Sequence, residues 1–309
     1  MKILHFIIFF LLQIYNISGK DNLVKMDEIY FKDTNYTKLK EYIEKYKNQI
    51  AVSVVPLENS HTPFFYNKSE VFVSASMIKL LILCEFIEEI DHETIYLDQN
   101  YTYEEKDYVE GAGEIQKMPF GTIFTYDTLA RYMIKYSDNI ATNVLIDILG
   151  MDNINLKAKE LGLNATKLNR KMMKEGEQNY MSSEDIEFIL KGILYKTVGS
   201  EKMCDKAMDY LLENDDYDAI VRGLPNGTKF AHKTGSLDFI RHDGGIVFIK
   251  NKYIIIVLTK DFQLEEDANL VIGNVSAIAY DIMSKDPQSS QSFINYSISA
   301  MILFLALLI

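Results

Sequence analysis

The sequence predicts an α+β protein: an antiparallel sheet flanked by N- and C-terminal helices, with an all-helical insert between its two halves. Three observations predict it. Runs rich in β-branched residues fall at both ends of the chain, around Ile50–Pro56 and between Lys229 and Thr259. The middle, from Ser76 to about Glu213, is dominated by helical periodicity and caps. No repeat or low-complexity linker separates these parts, so both ends of the chain build one sheet rather than a separate domain.

The elements follow in order. Tyr36–Lys47 reads as a helix with Leu39, Tyr42, Ile43 and Tyr46 on one face. Ile50–Pro56 is a strand, and Pro63–Tyr66 pairs back on it across a short polar turn. Met77–Ile90 is apolar nearly all round, which predicts a buried helix. Tyr126–Tyr136 follows a Thr125 cap, with Asp127 in its first turn. Ile140–Leu149 stops at Gly150. Ser182 opens another helix, with Asp185 three residues on as in a capping box. Lys229–Lys233, Gly244–Lys250 and Tyr253–Thr259 are strands, the last two joined by the hairpin signal Asn251-Lys252. Ala268–Ser284 is a closing helix.

Composition narrows the function. The chain has 309 residues, 48% apolar and 25% charged, so a disordered or collagen-like protein is excluded. Lys plus Arg number 32 against 44 Asp plus Glu, a net charge of −12 that repels phosphate backbones and argues against nucleic-acid binding. Two cysteines, Cys84 and Cys204, make neither a disulfide scaffold nor a four-cysteine zinc site. His5, His61, His92, His232 and His242 show no ligand spacing, so no metal or other cofactor is expected. Cys84 reads as a core residue, and His232 as packing behind the sheet.

The two ends address the chain. Residues 1–19 have the form of a signal peptide, with a short apolar run, Ile3–Leu12, and Gly19 at a cleavage point; an N-terminal anchor is the other reading. Residues 291–309 form a tail, apolar from Phe293, behind the polar stretch Asp286–Ser292. A GPI-anchor signal with attachment near Ser290 and a plain membrane helix both fit it. Asn-x-Ser/Thr occurs at eight of the twenty asparagines: Asn16, Asn35, Asn67, Asn100, Asn164, Asn226, Asn274 and Asn295. That excess points to a glycosylating secretory route.

Three short motifs carry chemistry. They are Ser76-Met77-Ile78-Lys79, Ser137-Asp138-Asn139 and Lys233-Thr234-Gly235. Each alone is weak; their order and placement together are strong. Ser76 at a helix start sits at the positive end of the dipole. Lys79, three residues on, shares its face, and a desolvated ammonium there can accept the Ser76 proton. Ser137, between two helices, can pass that proton to a leaving nitrogen. Asn139 offers an amide to substrate and to Lys79. Lys233 supplies charge for a substrate carboxylate and Thr234 a hydroxyl, while Gly235 lets the strand edge approach. The N–H groups of Ser76 and Ser236 would form an oxyanion hole.

These motifs, with the longer blocks Ser74–Leu80, Tyr136–Asn143, His232–Ser236 and Arg241–Gly245, resemble the class A β-lactamase family of penicillin-recognising serine hydrolases over about residues 35 to 284. The resemblance implies a β-lactamase/transpeptidase-like fold, with residues 20–290 as the hydrolase domain and an insert at about 76–213. It also implies a serine acyl-enzyme formed with a β-lactam or a cell-wall peptide. One departure stands out. Where the family carries the glutamate that activates the deacylating water, the run Thr166–Met172 places Met172, with Glu175 and Glu177 shortly after. The expected function is a β-lactamase-like hydrolase slowed at deacylation. A penicillin-sensitive D-alanyl-D-alanine peptidase or transpeptidase and a non-catalytic surface receptor are the alternatives.

Overall fold

Val, Ile and Leu dominate the strand Tyr253–Thr259 because that strand lies inside. The computed structural model describes residues 36–58 and 61–285. In chain order the elements are α1 (Thr37–Ile43), β1 (Ile50–Pro56), β2 (Phe64–Tyr66), β3 (Phe72–Val73), α2 (Lys79–Asp91), β4 (Asn100–Thr102), β5 (Ile123–Thr125), α3 (Tyr126–Lys135), α4 (Asn139–Leu149), α5 (Met151–Glu160), β6 (Tyr180–Met181), α6 (Ser183–Leu194), α7 (Glu201–Leu212), β7 (Lys229–Leu237), β8 (Ile240–Phe248), β9 (Tyr253–Thr259) and α8 (Glu265–Met283). The chain divides at Glu41 into a short N-terminal unit, described only for the start of α1, and the unit Tyr42–Ile309 that holds everything below. The expected leader at 1–19, the tail from 291 and the sequons at Asn16, Asn35 and Asn295 lie outside the described residues.

Five strands form one antiparallel sheet in the order β2-β1-β9-β8-β7. The first and last strands of the chain thus share a sheet, as the sequence predicts, and β1 pairs with β9 along its whole length from Ile50–Thr259 to Pro56–Tyr253. All seven residues of β9 are buried, so both faces of the sheet are covered. Helices α6 and α8 both pack on β9. The segment from Lys79 to Ile87 is buried at every position, which explains the unbroken apolar run of α2.

Local chemistry sets the helix boundaries. Thr125 caps α3 by accepting the Thr128 N–H at 3.1 Å, and Asp138 caps α4 by accepting the Ala141 N–H at 2.9 Å. Ser182 accepts the Asp185 N–H at 3.1 Å, but the expected capping box is only half made. The Asp185 carboxylate turns away to take the Ala165 N–H at 2.9 Å and the Thr166 hydroxyl at 2.7 Å, tying α6 to the segment before β6. Gly150, with φ of 83°, ends α4 and at once begins α5, a helix the sequence did not mark out.

Gly245, at the centre of β8, is required by close packing. A Cβ there would lie 2.2 Å from the Ala231 carbonyl oxygen and 2.5 Å from the His232 Cβ. Gly245→Ala therefore pushes β7 and β8 apart, with an expected loss of about 1–3 kcal/mol, the usual cost of overpacking. A lowered denaturant midpoint for the variant checks this, and an unchanged midpoint contradicts it.

Candidate active site

The position of Ser76 begins with backbone strain. Ala75 has φ of 45° and Ser137 φ of 52°, both in the left-handed region that costs a side-chain-bearing residue energy. The first strain tightens Ala75–Ile78 into a 3₁₀ turn, so Ser76 precedes the α-helix by one turn rather than opening it. The second turns the Ser137 carbonyl toward Lys79. Two bonds anchor the turn from outside. The Ser74 N–H donates to the Asn179 carbonyl at 2.7 Å, and His242 Nε2 lies 2.8 Å from the Val73 carbonyl oxygen.

Lys79 is the hub. Its Nζ lies within hydrogen-bond distance of Ser76 Oγ at 3.1 Å, Ser137 Oγ at 3.1 Å, the Ser137 carbonyl oxygen at 2.5 Å and Asn139 Oδ1 at 3.0 Å. It is wholly buried, and burial, aided by the nearby Lys233 charge and opposed by Asp138, pushes its pKa well below the ordinary lysine value. The buried Asp138 carboxylate braces the site by accepting the Glu114, Ile115 and Ala141 N–H groups at 2.7, 2.8 and 2.9 Å.

The third motif lies on β7, an edge strand of the sheet. Lys233 Nζ donates to Ser137 Oγ at 3.1 Å, so Ser137 bridges the two lysines. Burial lowers the Lys233 pKa to about 7. A Cβ on Gly235 would stand only 3.1 Å from the Ser76 N, which is why the strand carries glycine where it passes the Ser76 turn. Behind the strand, Arg241 donates from Nη2 to both Asp216 oxygens at 2.7 and 2.8 Å and from Nε to Asn269 at 2.8 Å. His232 packs behind the sheet as expected, stacked on Phe230 and 2.9 Å from Asp243. Among the described residues, no group of His, Cys, Asp and Glu is arranged to hold a metal.

A cleft of about 540 Å³ opens above Ser76 and includes Asn139, Met172, Met173, Ser236 and Glu265 in its lining. Its floor at Met172 is held by backbone. The Met172 N–H donates to Asn143 Oδ1 at 2.8 Å, and Asn143 Nδ2 donates to the Met172 carbonyl at 3.0 Å. Glu175 and Glu177 are exposed and do not line the cleft. The loop's neck is also closed by an amide: Asn179 Oδ1 accepts the Asn169 and Arg170 N–H groups at 2.8 and 2.9 Å.

The profile of the beta-lactamase enzyme family matches residues 35–283. The chain belongs to that family. Beta-lactamase ROB-1 of Haemophilus influenzae is 26% identical over 237 residues, covering 73% of this chain and 75% of the relative. Among solved structures, PBP-A is 25% identical, with a TM-score of 0.75 over 80% of this chain and 96% of its own. A beta-lactamase from Sphaerobacter thermophilus superposes with a TM-score of 0.76 at 22% identity, over 81% and 97% of the two chains, and shows the shared fold. The β-lactamase/transpeptidase-like fold read from the sequence is the fold observed, and family membership makes the chain a relative of serine hydrolases.

All eight residues named from the motifs fall around this cleft. Ser76, Asn139 and Ser236 line it, Lys79 and Lys233 are buried beside it, and Ser137 joins the lysines. Thr234 is buried next to Lys233 on β7, and Gly235 flanks the Ser76 turn. The sequence did not reveal Met173, Asp216 and Glu265. An acidic residue at a helix start reads equally well as a dipole complement, so Glu265 carried no distinguishing signal.

The Lys233 shift has a definite sign. Unfolded, this lysine keeps its proton to about 10.4, the ordinary value; folded, it does so only to about 7. Between those values the unfolded chain binds more protons, so this group favours folding increasingly as pH rises through the window. Denaturant midpoints should show the native chain gaining on Lys233→Met from about pH 7 to 10. A constant difference would contradict the shift.

Proposed function

We propose that this chain is a serine hydrolase that opens β-lactam rings through an acyl-enzyme on Ser76 and releases the acyl group slowly. The observation that carries this reading is the Lys79 Nζ in simultaneous reach of Ser76 Oγ, Ser137 Oγ and Asn139 Oδ1. As a neutral amine, Lys79 takes the Ser76 proton while Oγ bonds to the lactam carbonyl carbon. The ring C–N bond breaks, and Ser137, in contact with both lysines, delivers a proton to the departing nitrogen. Ser76 and Ser236 N–H groups receive the oxyanion. Lys233 and Thr234 receive the substrate carboxylate.

Deacylation needs a base beside a held water. Met172 occupies the cleft floor where the family's glutamate is expected, and a thioether takes no proton. The likeness to PBP-A supports a second reading, a penicillin-sensitive peptidase of cell-wall peptides that β-lactams merely acylate. A non-catalytic receptor has the least support, because every group needed for acylation is in place. With a chromogenic β-lactam, the native chain should give a burst of one equivalent followed by a slow linear phase. Ser76→Ala should give no burst and no label from a fluorescent penicillin. Met172→Glu should speed the linear phase, up to the about 10²–10⁴-fold associated with one positioned base. Rapid, burst-free turnover by the native chain would sink the slow-release reading.

We also infer that the protein is a glycoprotein of the secretory route. All five sequon asparagines in the described residues, Asn67, Asn100, Asn164, Asn226 and Asn274, are exposed, and none lines the cleft. Of the ten other described asparagines, only Asn48 and Asn153 are exposed. Among the described residues, no helix is long and apolar enough to cross a membrane. Protein from its native source should lose mass in glycan-sized steps on treatment with a peptide N-glycosidase; an unaltered mass would refute the inference.

A further inference from the structure

The cleft has an unusual charge balance at its β7 end. Ser236 Oγ donates to Glu265 Oε1 at 3.1 Å, so the hydroxyl beside the nucleophile is already engaged by a carboxylate. Arg241 Nη1 lies 3.6 Å from that same Glu265 oxygen. Arg241 is 4% exposed, and its guanidinium already holds Asp216 through two bonds and Asn269 through a third. Its one positive charge is shared between two carboxylates, which leaves none for an arriving anion.

The rest of the lining does not restore the balance. Its charged residues are Arg170, Asp238 and Glu265. Arg170 is the one cation among them, and the Lys174 carbonyl at 3.1 Å and Gln178 Oε1 at 2.7 Å hold its guanidinium to its own loop. Within the third motif, positive charge for a substrate comes from Lys233, buried next to Thr234. Ser236 is two residues further along, about 7 Å at the rise of a strand. One end of this stretch can hold an anion, and the other presents a half-exposed carboxylate, with the Glu265 side chain 56% exposed.

We propose that Glu265 sets the charge selectivity of the site: it selects acyl substrates that carry a cationic amine beside their carboxylate and rejects those that carry a second anion there. The inference rests on the serine-hydrolase reading and names its substrate class. The carboxylate lies on Lys233 and Thr234, and the ammonium group reaches Glu265 across Ser236. Glu265 touches neither Ser76 nor Lys79 in the bonds described above, so its effect falls on substrate choice rather than on the proton path.

The test uses the full chain and two β-lactams with one ring core, differing only in an ammonium or a carboxylate substituent on the side of the ring carboxylate. The quantity read is the ratio of their second-order rate constants for acylating Ser76. The native chain should favour the ammonium compound roughly tenfold, the scale of one close charge contact at a wet surface. Glu265→Gln should bring the ratio near one, mainly by slowing the ammonium compound and quickening the carboxylate one. Glu265→Asp should restore part of it, and added salt should reduce it in the native chain and Glu265→Asp but not in Glu265→Gln. Glu266→Gln removes the neighbouring charge, which pairs with Arg222 outside the cleft lining, and should leave the ratio unchanged. If penicillin labels the native chain but Glu265→Gln keeps the native ratio, the charge-selectivity proposal fails alone. If no β-lactam labels the native chain, the hydrolase reading fails and this one with it.

Discussion

A lysine without a counterion holds the site together. The Lys79 ammonium head is removed from water, and its hydrogen-bond partners are two hydroxyls, an amide oxygen and a carbonyl, none of them charged. A full positive charge in such surroundings is costly, and release of the proton relieves the cost. The fold must therefore deliver neutral oxygens from distant positions. Ser76 comes from the turn before α2, and Ser137 and Asn139 come from the junction of α3 and α4. Strained backbone at Ala75 and Ser137 is tolerated because the dry core around α2 and the Asp138 brace over-determine both turns. The apolar helix α2 is what dries the lysine.

The loop from Asn169 to Tyr180 separates architecture from chemistry. Asn143 grips residue 172 through its N–H and its carbonyl, contacts that any side chain at that position would allow. Asn179 closes the neck in the same way, through backbone N–H groups of Asn169 and Arg170. The position facing the cleft is thus fixed whatever stands there. With Met172 in place, the floor is apolar and polarizable, suited to packing against an acyl group and unsuited to activating water. The side chain at 172 can therefore be exchanged without disturbing the loop that presents it.

Legibility in the sequence followed the range of each interaction. Strands with a strong local pattern, Ile50–Pro56 and Tyr253–Thr259, have in the structure the bounds read from their residues. Thr125 and Ser182 marked helix starts because a cap is a contact over three residues. Helices α5 and α7 carry low mean apolarity and were not singled out; tertiary packing of Ile154, Ala158, Met203 and Ala207 makes them. The Asp185 carboxylate left its own helix for Thr166, a partner that no local rule supplies. In the site, the three motifs located the groups that the structure gathers at the cleft because spacing along one helix or strand fixes them. Asp216 and Glu265 were invisible, since their significance comes from meeting Arg241 and Ser236 across the fold.

That last difference separates two ways of using charge in one cleft. Lys79 and Lys233 are both buried, burial lowers the pKa of each, and the Lys233 charge lowers that of Lys79 further, so the interior favours a neutral amine at Lys79. Arg241 lies close behind the same strand but keeps its proton under all ordinary conditions, and burial there demands carboxylates instead. Asp216 meets most of that demand. Glu265 meets the remainder from the cleft side, where it is also seen by substrate. A carboxylate recruited to balance a buried guanidinium thereby becomes part of the binding surface. The polarity of the substrate's far end follows from how the sheet balances its own buried arginine.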